Sequence, residues 1–163
     1  MAKEQTPIAW ALLPLKRYAQ LSGRSSRAEY WWFTLAYVVA GLVVDAVDLA
    51  TGSEIGILGL IFTLGVIVPT ISVTVRRLHD IGLSGWWLLA VIAPAAVFGF
   101  QTAYAALEST FNELEPTGSS LVSISAFVIA CLVLMICMAL PSNKGNNRHG
   151  SDPYGDSGGN ALA

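Results

Sequence analysis

Ten polar residues in three short runs could do chemistry together: Arg24, Arg27 and Glu29; Arg76, Arg77, His79, Asp80 and Ser84; Asn147 and Arg148. Their guanidinium groups suit a pocket that holds an anionic group, such as a phospholipid head group or a phosphorylated metabolite. A plainer account fits the same residues. In it the arginines set the membrane topology and are held by ion pairs to Glu29 and Asp80. Arg77 and Asp80 stand at i,i+3, a spacing that pairs charges on one helical turn and favours that account.

Asp45 is a candidate membrane-embedded acid. Trp32 and Asp45 are 13 residues apart, which is roughly 20 Å of helix in a hydrocarbon core about 30 Å thick. A carboxylate at full depth costs about 2.5–3.5 kcal/mol on insertion scales, so it is expected to face other helices or water. It reads either as a proton or cation site or as an acid that snorkels to the outer interface. Pro69 and Pro94 each free a backbone carbonyl, and Thr70, Ser72 and Thr74 follow Pro69 closely. Such helices can line a substrate path; more often they are packing features.

The sequence holds no Gly-rich phosphate loop, no Cys-x-x-Cys, no His-Glu-x-x-His and no Gly-x-Ser-x-Gly. Two histidines in the whole chain are too few for a His-rich metal site. No nucleophile–base pair is visible, so no catalytic residue, metal or cofactor is assigned. No nucleic-acid partner is expected.

The elements that must position these residues follow from composition. Charged residues make up 12% of 163 positions and hydrophobic residues 54%, and that much charge cannot cover a soluble domain of this length. The apolar residues fall in four blocks long enough for the roughly 20 residues of helix that cross a bilayer. The sequence therefore predicts an all-α membrane protein, a four-transmembrane-helix bundle with a short N-terminal interfacial helix. Residues 1–22 form the amphipathic interfacial segment, with a helix broken or begun near Pro14. Residues 23–141 form the transmembrane domain, with spans at about 30–50, 55–75, 86–107 and 121–140. Residues 142–163 form a polar cytoplasmic tail, disordered towards its end.

Local signals place the boundaries. Ser26 and Glu29 have capping-box spacing and should start the first span. Gly82 suits the residue just past the second helix, and Ser84 the N-cap of the third. A cleavable signal peptide is not expected, because the stronger positive charge follows the apolar stretch Ile8–Leu15 instead of preceding it. Cys131 and Cys137 fall in the fourth block, about 120° apart around a helix, and cannot bridge each other.

All nine Lys and Arg fall on one side of a four-span arrangement, while the opposite side carries Asp45, Asp48, Glu54, Glu108, Glu113 and Glu115 with no basic residue. Positive-inside bias then puts both termini in the cytoplasm.

Three segments are recognisable together. They are Gly23-Arg24-Ser25-Ser26-Arg27-Ala28-Glu29-Tyr30-Trp31, then Arg76-Arg77-Leu78-His79-Asp80-Ile81-Gly82-Leu83-Ser84-Gly85-Trp86-Trp87, then Gly145-Asn146-Asn147-Arg148-His149-Gly150-Ser151-Asp152-Pro153. In that order the chain resembles the bacterial family called domain of unknown function 805, the YhaH-like inner-membrane proteins. His149 and Ser151 depart from that family's usual Tyr and Pro. The resemblance implies a multi-pass protein of the bacterial cytoplasmic (inner) membrane, and it supplies no reaction. The preferred reading is a non-enzymatic module that binds an anionic lipid, a small anion or a partner protein at its cytoplasmic face, with the lipid bilayer as its setting. The alternative is a small transporter of a cation or small solute that uses Asp45 and the Pro69 and Pro94 helices.

Overall fold

The computed structural model describes residues 6–52, 56–111 and 119–150. These residues hold five α-helices and no strand: α1 (Pro7–Lys16), α2 (Arg27–Ala50), α3 (Ile57–Asp80), α4 (Leu89–Phe111) and α5 (Ser119–Ala139). A short 3-10 turn, Gly85–Leu88, leads into α4. Four helical stretches are long and apolar enough to cross a membrane: Arg27–Ala50, Ile57–Asp80, Gly85–Ala105 and Val122–Ala139. The protein is of the all-α, four-span class. Glu54, Glu113, Glu115 and Asp152, and the disorder expected towards the end of the tail, fall outside the described residues.

The chain divides into two compact units. One joins Met1–Ser84 to Pro141–Ala163 and so carries all three polar runs. In it α1 packs along α2 and α3. Thr6 caps α1 by accepting from the Ala9 N–H at 3.3 Å, and Pro7 occupies the first turn, where its missing N–H has no cost. The helix then runs through Pro14 to Lys16. This corrects the expectation of a helix broken or begun near Pro14; the start signal is Thr6-Pro7, about two turns earlier.

Ser26 caps α2, its Oγ accepting from the Glu29 N–H at 3.1 Å. The reciprocal half of a capping box is replaced, because the Glu29 carboxylate is taken by Arg76 on α3. The α2–α3 seam is filled by the stacked rings of Tyr37 and Phe62, with centroids 5.8 Å apart. Gly41 sits opposite the Phe62 ring, which an added Cβ would approach to 3.6 Å.

Pro69 removes the N–H that would bond to the Gly65 carbonyl four residues back. The Tyr18 hydroxyl donates to that carbonyl at 2.7 Å. Ser72 Oγ, one turn further on, donates to the Gln20 carbonyl at 2.6 Å. The residues after α1 are thus fixed along α3 by its own polar punctuation.

At the other end of α3 the N-cap is Gly56 in left-handed conformation, with no side-chain cap of its own. Asp48, from the last turns of α2, does that work: its carboxylate accepts from the Leu58 N–H at 3.3 Å and the Gly59 N–H at 2.8 Å. A negative group there also suits the positive end of the helix dipole.

The second unit, Gly85–Leu140, contains α4 and α5 packed along each other. Phe98 and Phe127 stack at 5.4 Å, and Ser123 hydrogen-bonds Gln101. A largely apolar groove of about 600 Å³ runs between Ala93–Gln101 on one helix and Val122–Ala126 on the other, with Pro94 in its wall.

Candidate functional site: a buried arginine–carboxylate junction

A helix leaves its last four carbonyls without internal partners. At the end of α3 these carbonyls gather distant stretches of chain. Gly82, with φ 82°, closes the helix in Schellman form: the Leu83 N–H donates to the Leu78 carbonyl at 2.9 Å and the Gly82 N–H to the His79 carbonyl at 3.1 Å. That φ demands glycine, and a Cβ added there would lie 2.7 Å from Asn143 Nδ2, so the exposed Asn143 side chain would also have to move. Just upstream, the Ser25 N–H donates to the Arg76 carbonyl at 3.1 Å. The Asn143 N–H donates to the Asp80 carbonyl at 3.2 Å, and Asn147 Nδ2 to the His79 carbonyl at 2.9 Å. The first and third recognisable segments therefore dock on the helix end that the second contains.

Charge fills the space they enclose. Asp80 is completely buried and binds two guanidinium groups. Arg24 Nε donates to Asp80 Oδ1 at 2.8 Å, while Arg77 Nη1 and Ser142 Oγ donate to Oδ2. Arg24 is satisfied further by the Gly145 carbonyl at 2.6 Å and the Asn143 carbonyl at 2.5 Å. A second carboxylate, Glu29, binds Arg76 Nη1 at 2.7 Å and has Arg17 3.8 Å from its other oxygen. Arg76 and Arg77 have no exposed surface, and Glu29 only 2%. Four guanidinium groups thus share two carboxylates. Buried pairs of this kind contribute little net stability, but removing one partner leaves a charge stranded, at a cost of about 3–5 kcal/mol.

Arg148 and His149 lie against Gly82 and His79, at one side of this junction. Arg148 Nη2 donates to the Gly82 carbonyl at 3.2 Å and its Nε to His149 Nε2 at 3.0 Å. His149 stacks on His79, with centroids 4.0 Å apart and planes 4° from parallel. His79 Nδ1 faces the Gly23 carbonyl at 3.3 Å, and because a carbonyl only accepts, that nitrogen carries the proton. The His149 imidazole is held below its usual value by burial first, then by the nearby His79 and Arg148. Protonating His149 Nε2 would oppose the Arg148 bond, so a falling pH works against this contact.

The structure brings together Arg24, Glu29, Arg76, Arg77, His79, Asp80, Asn147 and Arg148. Arg27, the first residue of α2, is exposed and joins none of these contacts. Ser84 is half-buried just before the 3-10 turn. Asp45 lies at the opposite end of α3: a Cβ at Gly59 would come 3.1 Å from its Oδ1 and 3.5 Å from Asp48 Oδ2. Asp45 is exposed, while its neighbour Asp48 is buried and hydrogen-bonded. Sequence reasoning missed Asp48 as a cap, Tyr18 as the partner of the proline-freed carbonyl, and Ser142, Asn143 and Gly145 as partners of the buried charges. One signal was readable: a proline four residues after Gly65 announces a carbonyl in need of a donor. The other contacts depend on chain returns that no local spacing encodes.

Comparison with known proteins gives a consistent picture. The family model described as "Protein of unknown function (DUF805)" matches residues 18–151. The chain is similar to inner membrane protein YhaI of Escherichia coli strain K12, at 29% identity over 146 residues, covering 90% of this chain and 96% of that protein. It is also similar to inner membrane protein YhaH of the same strain, at 37% identity over 89 residues, covering 52% of this chain and 74% of the other. No solved structure matches the chain. With four apolar helices of spanning length, these relatives make it a multi-pass inner-membrane protein.

Proposed function

Because the chain belongs to the DUF805 family of proteins of unknown function, whose description names no reaction, we propose a function from the junction itself: a non-enzymatic membrane module that holds an anionic group, that of a lipid or a small anion, at the cytoplasmic end of its N-terminal unit. The observation that carries this is the charge balance. Among the described residues, Arg17, Arg24, Arg76 and Arg77 share the carboxylates of Glu29 and Asp80. Both carboxylates are already engaged, so among the described residues three buried guanidinium groups, Arg24, Arg76 and Arg77, stand with two buried carboxylates, and the more exposed Arg17 lies at the edge. The carbonyl end of α3 and the carbonyls of Asn143 and Gly145 offset part of this. An anion would offset the rest.

The arrangement of basic residues supports a cytoplasmic location for the cluster, since all nine Lys and Arg share one side of the four-span order. The cytoplasmic leaflet is also where anionic lipids attract basic segments, by about 1 kcal/mol per Lys or Arg near the surface. The transporter reading gains nothing from the α2–α3 seam. Between the Asp45 end and Pro69 that seam holds the Tyr37–Phe62 stack, and Tyr18 occupies the carbonyl that Pro69 freed.

The test is lipid preference. Protein purified in a maltoside detergent is titrated with phosphatidylglycerol or phosphatidylcholine while its thermal unfolding is followed. Phosphatidylglycerol should bind at least about fivefold tighter, with a preference that shrinks as salt rises. Equal effects of the two lipids, together with no response to small anions, would remove this reading.

A further inference from the structure

Among the described residues, three buried side-chain polar atoms have no hydrogen-bond partner: Arg76 Nε, Arg76 Nη2 and Ser25 Oγ. They are not scattered. Ser25 and Arg76 are joined by the backbone hydrogen bond that docks the Gly23–Ser26 segment on α3, so every orphaned donor lies at one junction. Buried polar atoms are almost always satisfied, and an unmet charged donor is the costliest kind to leave so.

Arg76 uses only Nη1 on Glu29. What remains is the Nε/Nη2 edge, the face of a guanidinium with two near-parallel N–H groups that matches two oxygens of one oxyanion. We infer that this edge, with the Ser25 hydroxyl, is a binding site for a phosphate-type oxyanion. The inference rests on the anion-holding reading above and narrows it to one site and one chemistry. Three features select that chemistry. A water molecule would meet the donors but leave the excess positive charge of the cluster in place. A monatomic anion offers one centre to donors on two separate chain segments, whereas a tetrahedral oxyanion offers several acceptor oxygens. The site also lies in the last turns of a spanning helix, at the level where phosphates are the anions of the bilayer. The phosphate can come from a lipid head group or from free phosphate, and the two sources are separable by experiment.

Protein in phosphate-free maltoside micelles is titrated in one arm with inorganic phosphate and in the other with phosphatidylglycerol. Binding is read by calorimetry and by thermal shift, for wild type and two variants. Ser25→Ala removes a hydroxyl that has no hydrogen-bond partner among the described residues, so the fold should be unharmed. Arg76→Lys keeps a cation beside Glu29 but loses the fork. Ser25→Ala should weaken binding of the effective probe about fivefold, and Arg76→Lys about tenfold or more. A response to inorganic phosphate identifies a free-phosphate site, and a response to phosphatidylglycerol alone identifies a lipid site; both support the inference. Wild-type binding that both variants retain at full strength overturns this site while leaving anion binding elsewhere in the cluster. No binding of either probe to wild type overturns both. Should Arg76→Lys not fold, Ser25→Ala decides by itself.

Discussion

At the scale of single residues, Asp80 is the carboxylate whose loss affects two buried cations at once. Its two oxygens hold Arg24 and Arg77, both buried, so Asp80→Asn removes the carboxylate that these two cations share. The expected loss is about 3–5 kcal/mol in reversible unfolding from mixed micelles. Arg27→Ala, on an exposed position of the same sequence motif, should change stability by less than about 0.5 kcal/mol. If the two variants are equally mild, the buried ion pairs are not what holds the three segments together. Asp45 and Asp48 make a second contrast. Asp48 caps α3 across the turn, and Asp48→Ala should cost about 1–2 kcal/mol, as the loss of a helix cap does. Asp45→Ala should be close to neutral, because that carboxylate is exposed. The reverse order in thermal unfolding would show that Asp45 has a partner of its own.

At the scale of elements, α3 organises the N-terminal unit through its imperfections. Its proline frees a carbonyl that Tyr18 fills, its glycine start takes a cap from α2, and its last carbonyls recruit two stretches distant in sequence. The first of these is testable as a cycle. Tyr18→Phe should destabilise the protein by about 1 kcal/mol, the usual net worth of one hydrogen bond. In a Pro69→Ala background the helix regains its own N–H donor for Gly65, and Tyr18→Phe should then cost almost nothing. An unchanged cost there would mean that Tyr18 acts through packing alone.

At the scale of the whole molecule, the arrangement of charge sets the expectation for topology. Single cysteines placed at positions 54 and 115 should react with an impermeant thiol reagent in intact cells. Cysteines at 83 and 144 should react only after the membrane is opened. Labelling at position 83 from outside would reverse the orientation and move the arginine junction away from the cytoplasm. Membrane proteins of this kind gain little from the hydrophobic effect between helices, because lipid tails are as apolar as the side chains facing them. A buried polar junction at one helix end is then a natural source of specificity, since it is satisfied only when residues 23–29, 76–84 and 142–148 arrive together.

The sequence by itself determined the class of fold, because bilayer thickness fixes span length and four apolar blocks of that length were present. It also determined the Ser26 cap, the Gly82 helix end and the Arg77–Asp80 pair, all of which depend on neighbours within a few residues. The tertiary structure alone decided which charges are buried. Arg24 and Arg27 have the same chemistry three positions apart, yet one is enclosed by Asp80, Asn143 and Gly145 and the other faces outward. Asp48 rather than Asp45 meets the α3 N-terminus for the same reason: the angle at which two helices meet, set by the packing of their whole faces, decides which carboxylate reaches the open N–H groups.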